Sequence, residues 1–128
     1  MTNKGKFHQK LKVVLAEYLG VKYISLFSNG TLAATSALQV LPTKGEVITT
    51  PYTFIAAINA LLWNELTPIF DNVNPLSRNM DLEKIEAGIT KDTAVILPVN
   101  VNGNPCKVDK IRGFELIRHS HSLQKITF

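Results

Sequence analysis

A chain of 128 residues that is 45% hydrophobic is long enough for one compact domain with a real core and too short for two. The formal charge of +4 collects at the two ends without interleaved aromatics, which excludes a nucleic-acid surface, and the single cysteine, Cys106, excludes an internal disulfide. No apolar run is long enough to span a bilayer and no apolar stretch follows the basic start MTNKGKFHQK, so neither a membrane span nor a secretion signal is read, and a cytoplasmic location fits.

Phe7, Leu11, Val14, Leu15, Tyr18 and Leu19 recur at helical spacing, and Gly20 follows where a left-handed cap would stand. The β-branched and aromatic run Val21 to Phe27 predicts a strand that stops at the turn Ser28-Asn29-Gly30-Thr31. Leu32 to Leu41 restores helical spacing, closed by Pro42. Glu46 to Thr50 predicts a strand, Pro51-Tyr52-Thr53 a turn, Phe54 to Asn64 an apolar helix and Thr67 to Val73 a further strand. Asp81 is placed to cap a helix over Leu82 to Ile89, and Thr93 to Val99 reads as a strand covered on both faces. This alternation predicts an α/β fold with a mostly parallel sheet and flanking helices. Beyond Ile111 the regularity fades, leaving only the strand-like run Phe114 to Ile117.

Two turns could carry chemistry. At Ser28 to Thr31 a strand gives way to a helix, so backbone N–H groups and the helix dipole converge on a site suited to an anion, most naturally a phosphate. Gly30 allows close approach and the Thr31 hydroxyl adds a donor; an ordinary turn capped by Ser28 or Asn29 is the plainer alternative. At Thr49 to Phe54 a second turn lies on the same rim of the sheet, where an aromatic could lie flat on a heteroaromatic ring. Burial of Tyr52 and Phe54 in the core is the alternative there. His119 and His121 have no acid or thiol at a diagnostic distance and read as surface residues, and no metal-ligand spacing is present.

The segments Tyr18 to Tyr23, Phe27 to Thr31 and Gly45 to Phe54 together resemble the DegT/DnrJ/EryC1/StrS aminotransferase family. Pro68 to Val73 is similar to the family's PVFVDVD segment. Asn79-Met80-Asp81 with Ile85-Glu86 and Ile89-Thr90 resembles its N-x-D, IE and IT stretch, and Ile96 to Val99 with Gly103-Asn104-Pro105 and Val108 to Ile111 resembles its PVH, G-x-P and D-x-D-x-I stretch. The likeness runs over residues 7–111, with 112–128 a divergent tail. It implies a single truncated piece, residues 1–128, of the large cofactor-binding domain of the type I pyridoxal-phosphate (PLP) transferase fold, the aspartate aminotransferase-like fold.

By that resemblance the cofactor is pyridoxal 5′-phosphate. Gly30, Thr31 and Leu32 would hold its phosphate and Phe54 would stack on its ring. The implied reaction moves an amino group from glutamate to a nucleotide-linked keto sugar of the dTDP-keto-deoxysugar kind, for surface polysaccharide. The implied assembly is a homodimer in full-length relatives. Family members are more than twice as long and place a carboxylate against the ring nitrogen, where this chain reads Leu116 to Ser122 without an Asp. Lys125 follows Ser120-His121, a superficial likeness to the family's lysine motif at the wrong spacing. No catalytic residue is therefore assigned, Lys125 stands as the sole candidate, and the chain by itself is expected to be inactive. A non-catalytic phosphate-binding or assembly module and a PLP-dependent sugar dehydratase are the alternatives.

Overall fold

The computed structural model describes residues 5–41, 44–107, 109–111 and 124–125. Helix α1 spans Lys6–Leu19 and ends as its glycine predicts. Gly20 takes φ 63° and donates its N–H to the carbonyls of Ala16 and Glu17, a left-handed cap that a side chain would disfavour. Helix α2, Gly30–Gln39, begins two residues earlier than the apolar spacing indicates. Asn29 caps it, its Oδ1 accepting the Leu32 N–H at 2.9 Å. Helix α3 spans Ile55–Trp63 and helix α4 Leu82–Gly88, the latter capped by Asp81, whose Oδ1 accepts the Glu83 N–H.

Four short strands, β1 Glu46–Thr49, β2 Thr67–Phe70, β3 Thr93–Ile96 and β4 Gln124–Lys125, form one parallel sheet in the order β2-β1-β3-β4. Parallel neighbours need crossover connections, and α3 and α4 supply them in turn. Successive residues of a strand face opposite sides, so Val47 and Val95 join Leu38, Ala60 and Leu61 in one core cluster. Ile48 and Ile96 join Met80, Ile85 and Ile111 in another. The sheet is thus buried on both faces, and burying each such aliphatic side chain stabilises the fold by roughly 1.5–3 kcal/mol.

The structure corrects the sequence expectation in three places. Val21 to Phe27 is not a strand, because no other described segment pairs with it, and Val21, Tyr23 and Phe27 are exposed. β2 and β3 stop at Phe70 and Ile96, short of the Val73 and Val99 that composition suggests. Val73 instead makes an isolated antiparallel bridge to Met80. β4 arises in the tail where no strand was read. Pro42, Phe114 to Ile117, and Leu116 to Ser122 with His119 and His121 lie outside the described residues. Among the described residues no helix is long and apolar enough to cross a membrane.

Candidate functional site

Parallel strands deliver their carboxyl ends to one rim, and the segments that follow them meet there. β1 runs into buried Thr49 and Thr50. The Thr49 hydroxyl donates to the Leu97 carbonyl at 3.0 Å and the Thr50 hydroxyl accepts the Tyr52 N–H at 3.1 Å, so the turn toward α3 is held from both sides. β3 runs through Leu97 and Pro98 to Val99. The amino ends of α2 and α3 complete a cleft of about 400 Å³ lined by Gly30, Thr31, Thr53, Phe54 and Val99, with Ala34, Ala56 and Ala57 providing its room.

The two predicted turns therefore share one cleft, although the first is not preceded by a formed strand. The N–H groups of Gly30 and Thr31 make no hydrogen bond among the described residues, nor does the Thr31 hydroxyl. These are the orphan donors of a helix start, and the helix dipole adds partial positive charge at the same point. A Cβ built on Gly30 would meet nothing within 4 Å, so the space above its backbone is open to an approaching ligand. Leu32 stands apart: it does not line the cleft, and its N–H is already taken by Asn29.

Phe54 is 76% exposed and Tyr52 46%, which removes the alternative that these aromatics are core residues. Phe54 is the N-cap residue of α3 and lines the cleft with Thr31; Tyr52 faces a neighbouring hollow with Asn100 and Asn102. Thr53 and Val99 belong to both hollows and form the wall between them. Val99 escaped the sequence reading, yet the signal was present: it too follows the carboxyl end of a parallel strand. The backbone of Lys125 pairs with Ile96 in the sheet. Among the described residues no three His, Cys, Asp or Glu side chains gather as metal ligands.

Loop 99–106 is held by asparagines. Asn79 accepts the Val101 N–H and donates to the Asn104 carbonyl, Asn104 donates to the Ser77 carbonyl, and Asn100 accepts the Cys106 N–H. Just past the carboxyl end of β2, Asp71 carries a buried Oδ2 without a hydrogen-bond partner among the described residues. Desolvation raises its pKa above the ordinary value of 3.8, and the Asp81 carboxylate adds to this; the Asn72 N–H and the Lys84 ammonium oppose it.

The DegT/DnrJ/EryC1/StrS aminotransferase family model matches residues 1–124. A dTDP-4-amino-4,6-dideoxy-D-glucose transaminase of Escherichia coli is 51% identical over 112 residues, which are 88% of this chain and 30% of that enzyme. Among solved structures, the Helicobacter pylori aminotransferase PseC, involved in the biosynthesis of pseudoaminic acid, superposes with a TM-score of 0.85 at 28% identity, over 97% of this chain and 33% of its own. NtdA of Bacillus subtilis, solved with bound cofactor PMP, gives 0.83 at 30% identity, over 96% and 28%. The chain spans about a third of the length of the relatives it matches, and its sheet and flanking helices are part of the PLP-dependent transferase fold. Motifs, sheet order and rim cleft converge with these likenesses, and the chain belongs to the DegT/DnrJ/EryC1/StrS aminotransferase family.

Proposed function

We propose that the rim cleft holds the phosphate and ring of pyridoxal 5′-phosphate, and that this chain is the cofactor-cradling portion of a nucleotide-sugar aminotransferase. The observation that carries the reading is the meeting of Gly30, Thr31 and Phe54 on one cleft. The N–H groups of Gly30 and Thr31 and the Thr31 hydroxyl are free to donate to phosphate oxygens, and the α2 dipole favours the negative charge. Leu32 would join this cradle only if Asn29 released its N–H. The exposed Phe54 ring offers a platform for a planar heteroaromatic, worth roughly 0.5–1.5 kcal/mol beyond area burial. When bound, PLP supplies an electron-accepting ring that eases loss of a proton beside an amine.

What the chain's own residues do there is bind and orient. Among the described residues the cleft lining carries no amine and no carboxylate, so these supply neither the proton shuttle nor the charge against the ring nitrogen. By likeness to the Escherichia coli transaminase, the substrate class is a dTDP-linked deoxysugar; glutamate as amino donor and a cytoplasmic homodimer are carried over from the family resemblance alone. The 51% identity to a transaminase supports this over the dehydratase alternative. The bare lining supports a second reading, a phosphate-binding module without catalysis.

Titration of PLP into the purified chain tests the cradle. Thr31→Val is expected to weaken binding about tenfold, the loss of one charge-assisted hydrogen bond of about 1.5 kcal/mol, and Phe54→Ala to weaken it separately. Unchanged affinity in both variants overturns the assignment. Amino-sugar formation from glutamate and a dTDP-keto sugar by the chain alone would overturn the division of labour.

A further inference from the structure

Two asparagines are followed by glycine, Asn29-Gly30 at the start of α2 and Asn102-Gly103 in loop 99–106, and both are exposed. Such a pair carries its own reaction. Glycine leaves the following backbone nitrogen unhindered and free to turn, so that this nitrogen can reach the side-chain carbonyl carbon and close a succinimide ring. The two dipeptides are identical, and the fold separates them. The Asn29 Oδ1 accepts the Leu32 N–H at 2.9 Å and its Nδ2 lies 3.5 Å from the Ser28 hydroxyl oxygen. Its amide is therefore held over the first turn of α2, and the cap must break before it can turn to Gly30. Asn102 has no such tie. Its side chain makes no hydrogen bond among the described residues and stands open on the hollow beside Tyr52. Its backbone takes φ 52° and ψ 31°, a conformation that residues other than glycine adopt uncommonly, so leaving it costs the loop little. The Gly103 N–H is held only by the Asn100 carbonyl at 3.3 Å, and a Cβ built on Gly103 meets nothing within 4 Å, so the ring has room to form.

We propose that Asn102 is a spontaneous modification site, the residue at which the folded chain deamidates, and that the cap formed by Asn29 protects the other pair. The Gly103 nitrogen attacks Cγ of Asn102. The new C–N bond replaces the Cγ–Nδ2 bond, and Nδ2 leaves as ammonia with the proton from the Gly103 nitrogen. Water then opens the ring at either carbonyl, giving aspartate or its isoaspartyl isomer; one water is gained and one ammonia lost, with no change of oxidation state. Either product sets a carboxylate where a neutral amide stood, in a hollow that Thr53 and Val99 divide from the rim cleft. The isoaspartyl product also lengthens the backbone by one carbon, in a loop that Asn79 and Asn104 pin to the segment before α4. Modification at Asn102 acts on the rim whatever ligand the cleft holds, so the inference stands independently of the cofactor reading.

The experiment ages the purified chain at mildly alkaline pH, digests it with trypsin and follows residues 23–44 and 92–107 by mass spectrometry, two peptides that carry one Asn-Gly pair each. Electron-transfer fragmentation locates the new acid within 92–107 and tells aspartate from isoaspartate. The expected result is conversion at Asn102 at least about tenfold faster than at Asn29, the scale on which an intact cap lowers the open population. In denaturant neither side chain is held, and the two rates are expected to converge. Equal rates in the folded chain, faster conversion at Asn29, acid formed at Asn100 or Asn104 in place of Asn102, or a difference that persists in denaturant would each overturn the proposal.

Discussion

The side-chain oxygen of Asn79 accepts the backbone N–H of Val101 at 3.1 Å, joining the segment before α4 to the segment after β3. Asn79 is 6% exposed and its amide nitrogen simultaneously donates to the Asn104 carbonyl at 3.0 Å. One side chain thus satisfies two backbone groups in the loop that begins at Val99, the wall of the rim cleft. Replacement by leucine would leave the buried Val101 N–H with the Val99 carbonyl at 3.1 Å as its remaining acceptor and would remove the donor to the Asn104 carbonyl, at a cost of about 1–2 kcal/mol. Asn79→Leu is expected to lower the chemical-denaturation midpoint accordingly, and Asn79→Asp, which keeps the acceptor, to lower it less.

Asp71 should make stability depend on pH in a definite direction. Its folded-state pKa lies above the ordinary 3.8, so within the window between the two values the folded state holds more proton than the unfolded state. Stability therefore falls as pH rises through that window, and the penalty is fully present above the raised value and absent below the ordinary one. Asp71→Asn is expected to flatten this part of the profile, measured as melting temperature from pH 3 upward. A wild-type profile that rises through the window would contradict the burial of Oδ2.

Gly45 opens β1 with φ 125°, and a Cβ there would stand 2.5 Å from the carbonyl oxygen of Asp92, which accepts the Glu46 N–H at 2.9 Å. The obstacle is backbone, so it cannot swing aside. Gly45→Ala should destabilise the chain by about 1–3 kcal/mol through strain at this joint between β1 and β3. Equilibrium unfolding checks it; a neutral effect would mean that the two strands separate here at little cost.

Glu65 follows α3 with φ 57°, a left-handed position occupied by a residue with a side chain, and the Leu66 N–H closes back on the Leu61 carbonyl at 3.1 Å. Glycine adopts this conformation without the Cβ conflict that costs roughly 1–2 kcal/mol. Glu65→Gly is expected to raise stability by about 0.5–1 kcal/mol, since the added freedom of the unfolded chain offsets part of the gain. A lower melting temperature would count against this.

Helices were legible in the sequence because their signals are local. The spacing from Phe7 to Leu19, the glycine after it and the aspartate before Leu82 all act within a few residues of chain. Strand identity depends on a neighbour, which is why Val21 to Phe27 has the right composition and no ladder, while Gln124–Lys125, in an uninformative tail, pairs with β3. The phosphate turn and the aromatic turn were readable from their places after strands. The small residues Ala34, Ala56 and Ala57 were not, because empty space is made by three-dimensional packing and leaves no pattern in one dimension. Asp71 was not singled out in the sequence, where Pro68 to Val73 reads as similar to the family's PVFVDVD segment; its burial emerges only from the packing.

The amide of Asn64 donates to the Thr35 carbonyl of α2 at 3.2 Å and to the Ala60 carbonyl of α3 at 2.8 Å, and the Thr35 hydroxyl donates onward to the Thr31 carbonyl at 2.9 Å. The first of these bonds ties the trailing end of α3 to the middle of α2 behind the cleft. A substitution at Asn64, which touches nothing in the cleft, would remove this tie between the two helices whose leading ends carry Thr31 and Phe54.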